Sequence, residues 1–156
     1  MAKEILGLGI RGIIASSMCD DQGKYEEIPG AFKMLARLQR ERFSEGIFLV
    51  SYAWGETHPK ILHWLFDHIF HKVTGIPAGN VYLFRHKVQE VAICRELEIT
   101  HFISDSTELL VALNDAGIEN LYLFHGPDQE QSCSGSILRH VTQVTSWQEI
   151  AKNLLG

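Results

Sequence analysis

Short apolar runs alternate with stretches of helical periodicity along nearly the whole chain, and this alternation limits the folds open to it. Residues 4–10 (EILGLGI), 46–51 (GIFLVS), 80–85 (NVYLFR), 100–105 (THFISD) and 120–125 (NLYLFH) read as five short strands. They are apolar throughout, the look of strands buried on both faces. Between them lie helical segments. Residues 30–43 turn Phe32, Leu35, Ala36 and Leu38 inward, with Pro29 just ahead of the first turn. From Pro59 to Val73 the apolar positions are Leu62, Leu65, Phe66, Ile69, Phe70 and Val73. Residues 87–98 carry Val88, Val91, Ala92 and Leu97, residues 106–116 form a short helix, and Ser146 caps a last one with Glu149 three places on. Strands alternating with helices predict βαβ units and a parallel sheet covered on both faces, an α/β three-layer Rossmann-like architecture.

With 156 residues and neither a linker nor a repeat, residues 1–156 read as a single domain. Residues 13–29 break the alternation and carry a turn signal at Asp21-Gln22-Gly23, so they read as a small loop or hairpin over the strand ends. The three cysteines, Cys19, Cys94 and Cys133, are widely spaced, which fits free thiols and a cytoplasmic setting. A net charge of −5 argues against nucleic acid and anionic lipid as partners, and no apolar run is long enough for a membrane span. A homo-oligomer is compatible with the sequence but not signalled by it.

In parallel sheets ligands sit at the carboxyl ends of the strands. The residues to read are therefore Gly9, Arg11, Ser51, Arg85, Lys87, Ser104 and Asp105. Gly7-Leu8-Gly9-Ile10-Arg11-Gly12 matches the dinucleotide pattern G-x-G-x-x-G. That reading, a nucleotide-binding module, needs a helix starting at Gly12 and an acid about 20 residues on. Asp20 and Asp21 come too early for it.

Across residues 4–125 the chain resembles the haloacid dehalogenase-like (HAD) superfamily, in particular its small phosphatase-like members without a large cap. ILGLGIRGII matches the first motif, an apolar strand followed by Asp-x-Asp, with Gly9 at the nucleophile and Arg11 at the general acid/base. GIFLVS ends in the Ser of the second motif, Ser51; Lys87 stands at the third; HFISDS matches the paired acids of the fourth with Ser104 and Asp105. The resemblance implies a strand order 5-4-1-2-3, a phosphate held by Ser51 and Lys87, and Mg²⁺ held by carboxylates.

The departures remove the chemistry that the resemblance implies. Glycine offers no nucleophile where an ionised carboxylate is needed. Arginine does not exchange a proton near neutral pH. Of the expected magnesium-binding carboxylates only Asp105 is present. The expectation is a catalytically inactive, HAD-like pseudoenzyme that acts by binding a small anion or a protein partner and needs no cofactor. Arg11, Ser51, Lys87 and Asp105 would form its pocket, either holding an anion or, the favoured reading, plugged by an Arg11–Asp105 pair that fills the metal's space. The alternative is a phosphohydrolase-like enzyme with a rebuilt site, using Asp105, Lys87, Ser51 and Asp20 or Asp21, with Mg²⁺ as cofactor.

Other residues carry weaker signals. His63, Asp67 and His71, with His68 beside them, recur on one helical face; they read as a solvated polar face, or as part of a metal site lacking further ligands. His86 and His101 flank the site strands, as structural residues or proton carriers. Cys19 is a free loop thiol or a nucleophile without an assigned base. Trp54 lines the pocket mouth or covers the sheet end, and Trp64 and Trp147 read as helix packing. Arg37, Arg40, Glu41 and Arg42 read as a solvated helix face.

Overall fold

The computed structural model describes residues 3–16, 24–52, 57–86, 88–125 and 141–156. Six parallel strands form one sheet in the order β3-β2-β1-β4-β5-β6. The strands are β1 (Leu6–Leu8), β2 (Ile47–Tyr52), β3 (Val81–Phe84), β4 (His101–Ser104), β5 (Asn120–Phe124) and β6 (Val141–Val144). The helices are α1 (Ala31–Glu41), α2 (Thr57–Asp67), α3 (Phe70–Thr74), α4 (Val88–Glu96), α5 (Thr107–Asp115) and α6 (Trp147–Leu155). Read from β5, the first five strands have the expected order 5-4-1-2-3. The sixth strand was not expected: Val141-Thr142-Gln143-Val144 is polar at its centre and too short to show a period, and it lies on the outer edge beside β5.

Alternate strand residues face opposite sides, so the sheet carries two cores. On one face Leu6, Leu8, Leu49 and Ile103 pack with Phe32, Leu35, Trp64, Phe70, Trp147 and Ile150, from α1, α2, α3 and α6. On the other, Val50, Phe102, Leu121 and Leu123 pack with Cys94, Leu110 and Leu113, from α4 and α5. Gly7 is fixed by this packing. A Cβ there would stand 2.7 Å from Ile99 Cδ1 and 2.8 Å from Phe102 Cδ2, so any side chain would push β1 from its neighbours.

The segment 59–73 differs from the single helix expected. It forms α2 and α3, broken at Ile69, whose φ of 48° is left-handed. Ile61, Trp64, Leu65 and Phe70 are buried, while Leu62 (41%), Phe66 (75%), Ile69 (57%) and Val73 (44%) are exposed. Ile61 and Trp64 lengthen the apolar arc beyond what one helix can bury, and spacing alone does not choose between its two edges. On α4, likewise, Val88 and Ala92 face outward and Cys94 is the buried residue.

Residues 14–16 and 26–28 run antiparallel, with Ser16 N donating to Glu26 O (2.7 Å) and Ile28 N to Ile14 O (2.7 Å). The returning arm starts α1. Gly30 at the cap has no side chain to offer, and the Glu27 carboxylate accepts from Phe32 N instead (3.1 Å). At α6 the Ser146 hydroxyl accepts from Glu149 N (3.1 Å), as its spacing predicts. The Glu149 carboxylate reaches back one residue further, to Thr145 N (2.7 Å).

Candidate functional site

The carboxyl ends of β1, β2 and β4 open onto a cavity of about 670 Å³. Strand register brings its floor together: β1 lies between β2 and β4, with Leu8 opposite both Leu49 and Ile103. One residue past β1, Gly9 lines the cavity, and its N–H still pairs with Ile103 O (3.3 Å). The chain then turns instead of entering a helix. The N–H groups of Ile14 and Ala15 both reach Ile10 O, and Gly12 takes a φ of 86°. The helix that a dinucleotide site needs at Gly12 is therefore missing, because the chain turns back toward the hairpin.

That turn places Arg11 in the cavity wall, half-buried, with Nη2 donating to Tyr52 O at 3.4 Å. Among the described residues no ion pair joins Arg11 to Asp105, which departs from the expected plug. The turn holds the guanidinium over the end of β2 instead. Ser51 near the end of β2 and Ser104 at the end of β4 are buried and line the floor. The Ser104 hydroxyl is committed to Ser106 N (3.0 Å), while no hydrogen bond of the Ser51 hydroxyl is found among the described residues. Asp105 is exposed at the rim.

Five of the sequence-predicted residues, Gly9, Arg11, Ser51, Ser104 and Asp105, thus line one cavity. Lys87, Cys19, Asp20, Asp21, Trp54 and Cys133 lie outside the described residues. Reading only strand ends missed the far wall. The first turns of α4 and α5 add Val88, Glu90, Glu108 and Leu109, and Val91 and Ala112 lie one turn deeper. The signal was available: in a βαβ unit the helix after each strand starts beside the strand's carboxyl end.

The magnesium that the fold family implies does not fit the residues present. Gly9 offers no oxygen from a side chain, Ser104 is neutral and already bonded, and among the described residues Asp105 is the one carboxylate directly at a strand end of the cavity. Among the described residues, no group of three or more His, Cys, Asp or Glu side chains is placed to hold a metal ion.

The histidines have other roles. His63 Nε2 pairs with Asp67 Oδ2 at 3.1 Å. His68 stacks on Trp64, with ring centroids 4.5 Å apart, and its Nδ1 donates to Trp64 O (2.8 Å). His71 Nδ1 donates to Ile76 O (2.9 Å). His63, Asp67 and His68 border a groove with Lys24, Tyr25 and Lys60, separate from the cavity described above. Trp64 closes its base by donating Nε1 to Tyr25 O (2.9 Å). His86 is exposed beyond β3 and its N–H caps α4 through Gln89. His101 is no proton carrier for the cavity. It begins β4, at the sheet end opposite Ser104, buried beside Arg42. No helix among the described residues is long and apolar enough to cross a membrane.

Compared with models of known families and with curated proteins, the sequence matches none. Solved structures do match the fold. D,D-heptose 1,7-bisphosphate phosphatase from Burkholderia thailandensis superposes with a TM-score of 0.65 at 16% identity, covering 99% of both chains. A putative 3-deoxy-D-manno-octulosonate 8-phosphate phosphatase from Vibrio cholerae gives 0.59 at 14% identity, over 98% of this chain and 83% of that one. A putative haloacid dehalogenase-like hydrolase from Burkholderia xenovorans gives 0.55 at 15% identity, over 81% and 58%. The chain has the HAD-like fold.

Proposed function

We propose that this chain is a HAD-fold binding protein, a cytoplasmic pseudoenzyme that holds a small organic anion in the strand-end cavity without cleaving it. The observation that carries this reading is Gly9. It lines the cavity at the end of β1, the position where the fold's phosphatases need a carboxylate nucleophile. Two positions on stands Arg11, which neither attacks a phosphoryl group nor donates a proton near neutral pH.

What remains suits binding. The Ser51 hydroxyl is buried against the cavity, and Arg11 carries more N–H donors than its bond to Tyr52 uses. A guanidinium and a hydroxyl lining one cavity make a seat for a carboxylate or another small anion. A volume of about 670 Å³ falls in the range of small-molecule sites, ~300–1,000 Å³.

The test is Mg²⁺-dependent hydrolysis of 4-nitrophenyl phosphate by wild type and Asp105→Asn. The expected result is no turnover above buffer for either protein. Turnover that needs Mg²⁺ and disappears in Asp105→Asn would establish a rebuilt phosphohydrolase site instead and end the binding reading.

A further inference from the structure

Most polar side chains on the cavity wall are already engaged. The Ser104 hydroxyl accepts from Ser106 N, and the Ser106 hydroxyl accepts from Leu109 N. Glu90, Asp105 and Glu108 each have a partner within the protein. Tyr52 turns its ring to Phe84, with centroids 5.8 Å apart. Arg11 and Ser51 differ. Arg11 uses one N–H in a long bond to Tyr52 O and keeps the other donors of its fork. Ser51 is 8% exposed, and its hydroxyl has no hydrogen bond among the described residues. A hydroxyl buried without a partner is costly, and a ligand oxygen would satisfy it.

Both groups are donors, and together they carry one positive charge. Among the described residues no other cation lines the cavity. A carboxylate matches this pair: it brings one negative charge and two oxygens that fit the guanidinium fork. A phosphate monoester brings roughly twice that charge at neutral pH to the same guanidinium.

The side wall is aliphatic, and the core behind it holds it in place. Val91 and Leu109 pack against the core that contains Val50 and Leu110, and both also line the cavity. Ala112 continues this wall one turn along α5. A hydrocarbon body laid against these side chains removes apolar surface from water on both partners. Apolar walls with a few polar groups fixing one end are the general form of a small-molecule site.

Building on the binding reading above, we infer that the ligand is an aliphatic monocarboxylate of medium chain length. Its carboxylate sits on Arg11 and Ser51. Its methylenes lie along Val91, Leu109 and Ala112.

Titration calorimetry of the full chain with acetate, hexanoate, 1-hexanol and hexyl phosphate tests this. Hexanoate binds. Acetate binds at least tenfold more weakly, since each buried methylene is worth about fourfold in affinity. 1-Hexanol, which lacks the charge, is weaker than hexanoate by a similar factor. Arg11→Ala weakens hexanoate at least tenfold and leaves 1-hexanol unchanged. Leu109→Gln narrows the gap between hexanoate and acetate, and circular dichroism checks that this variant folds. Acetate or 1-hexanol binding as tightly as hexanoate overturns the inference, and so does a failure of hexanoate to bind; these outcomes are read on wild type and need no variant. Hexyl phosphate bound through Arg11 more tightly than hexanoate, without hydrolysis, would overturn the monocarboxylate and leave the binding reading standing. Its hydrolysis with Mg²⁺ would overturn the binding reading itself.

Discussion

Arg42 grips Glu4 through two bonds, Nη2 to Oε2 at 2.8 Å and Nε to Oε1 at 3.2 Å, while its Nη1 donates to Leu154 O at 2.6 Å. One side chain thus joins the chain entering β1, the end of α1 and the end of α6. By sequence, Arg42 belongs to a solvated helix face with Arg37, Arg40 and Glu41. Arg37 and Glu41 do form an exposed pair there, but Arg42 is turned inward to the amino-terminal end of the sheet.

Arg42→Ala therefore costs more than a surface charge does. The Glu4 pair is partly exposed and contributes under about 1 kcal/mol. The charged bond to Leu154 O satisfies a carbonyl in the last turn of α6, and bonds of this kind contribute about 1.5–3 kcal/mol. Urea unfolding should show a loss of about 2 kcal/mol for Arg42→Ala and under about 1 kcal/mol for Glu4→Gln. Equal losses would mean that the tie to α6 contributes nothing.

His101 makes the same cluster sensitive to pH. Its Nδ1 bonds to Thr100 Oγ1 (2.8 Å), which itself donates to Ile5 O, so Nδ1 carries the hydrogen. Nε2 then faces Arg42 Nη2 at 3.4 Å as an acceptor. Protonating Nε2 would set a cation against a guanidinium in a buried site. Burial, and then Arg42, hold the imidazole below its ordinary value, with Glu4 pulling weakly the other way. The unfolded chain takes up this proton near pH ~6.5 and the folded chain does so only lower. Stability is therefore lost as pH falls from ~6.5 toward the folded value. Glu4, lowered by its bond from Arg42, adds a second loss only below ~4.3. His101→Gln should flatten the stability profile between pH 7 and 5 relative to wild type, and an unchanged slope would sink this account.

Cys94 lies fully buried between α4 and the sheet, and burial pushes its thiol up to about 12, with Glu90 adding to the shift. Thiolate is the reactive form, so the native protein should leave Cys94 unlabelled by a disulfide reagent at pH 8. In a Cys19→Ser, Cys133→Ser background, labelling should appear only with unfolding. Rapid labelling of the folded variant would place Cys94 near the surface.

The sheet was legible because both of its faces are covered. Strands such as Phe48-Leu49-Val50 have no solvent side and read as unbroken apolar runs. The edge strand β6 has polar Thr142 and Gln143 at its centre, and four residues carry no period. The floor of the cavity was legible for a topological reason, since residues at parallel strand ends converge wherever the strands are neighbours. Its helical wall was not. Glu90 and Glu108 look like first-turn acids in the sequence, and only the packing of α4 beside α5 brings them to the cavity. Arg42 and His101 were misplaced for a related reason. Each lies at the amino-terminal end of the sheet, and their contact joins residues 59 positions apart that no local spacing announces.

Introducing the aspartates that the sequence resemblance expects tests whether these strand ends can carry that family's chemistry. Gly9 has the space: a Cβ there would meet only Ile13 Cγ1, at 3.7 Å, an ordinary contact, and its backbone is not left-handed. A carboxylate at position 104 can keep the bond that Ser104 Oγ now accepts from Ser106 N, and Arg11 gives up a single long bond to Tyr52 O. The triple variant Gly9→Asp, Arg11→Asp, Ser104→Asp would gather four carboxylates with Asp105, a donor set suited to Mg²⁺. Left without the ion, those like charges repel, so the variant should melt below wild type in EDTA. Saturating Mg²⁺, about a hundredfold above Kd, should then recover about 2.7 kcal/mol, or roughly 5–10 °C in Tm, and should leave wild type unmoved. A folded triple variant that ignores Mg²⁺ would mean that side chains at these strand ends do not converge on one ion. A wild-type protein that responds as strongly would mean that a metal site already exists here.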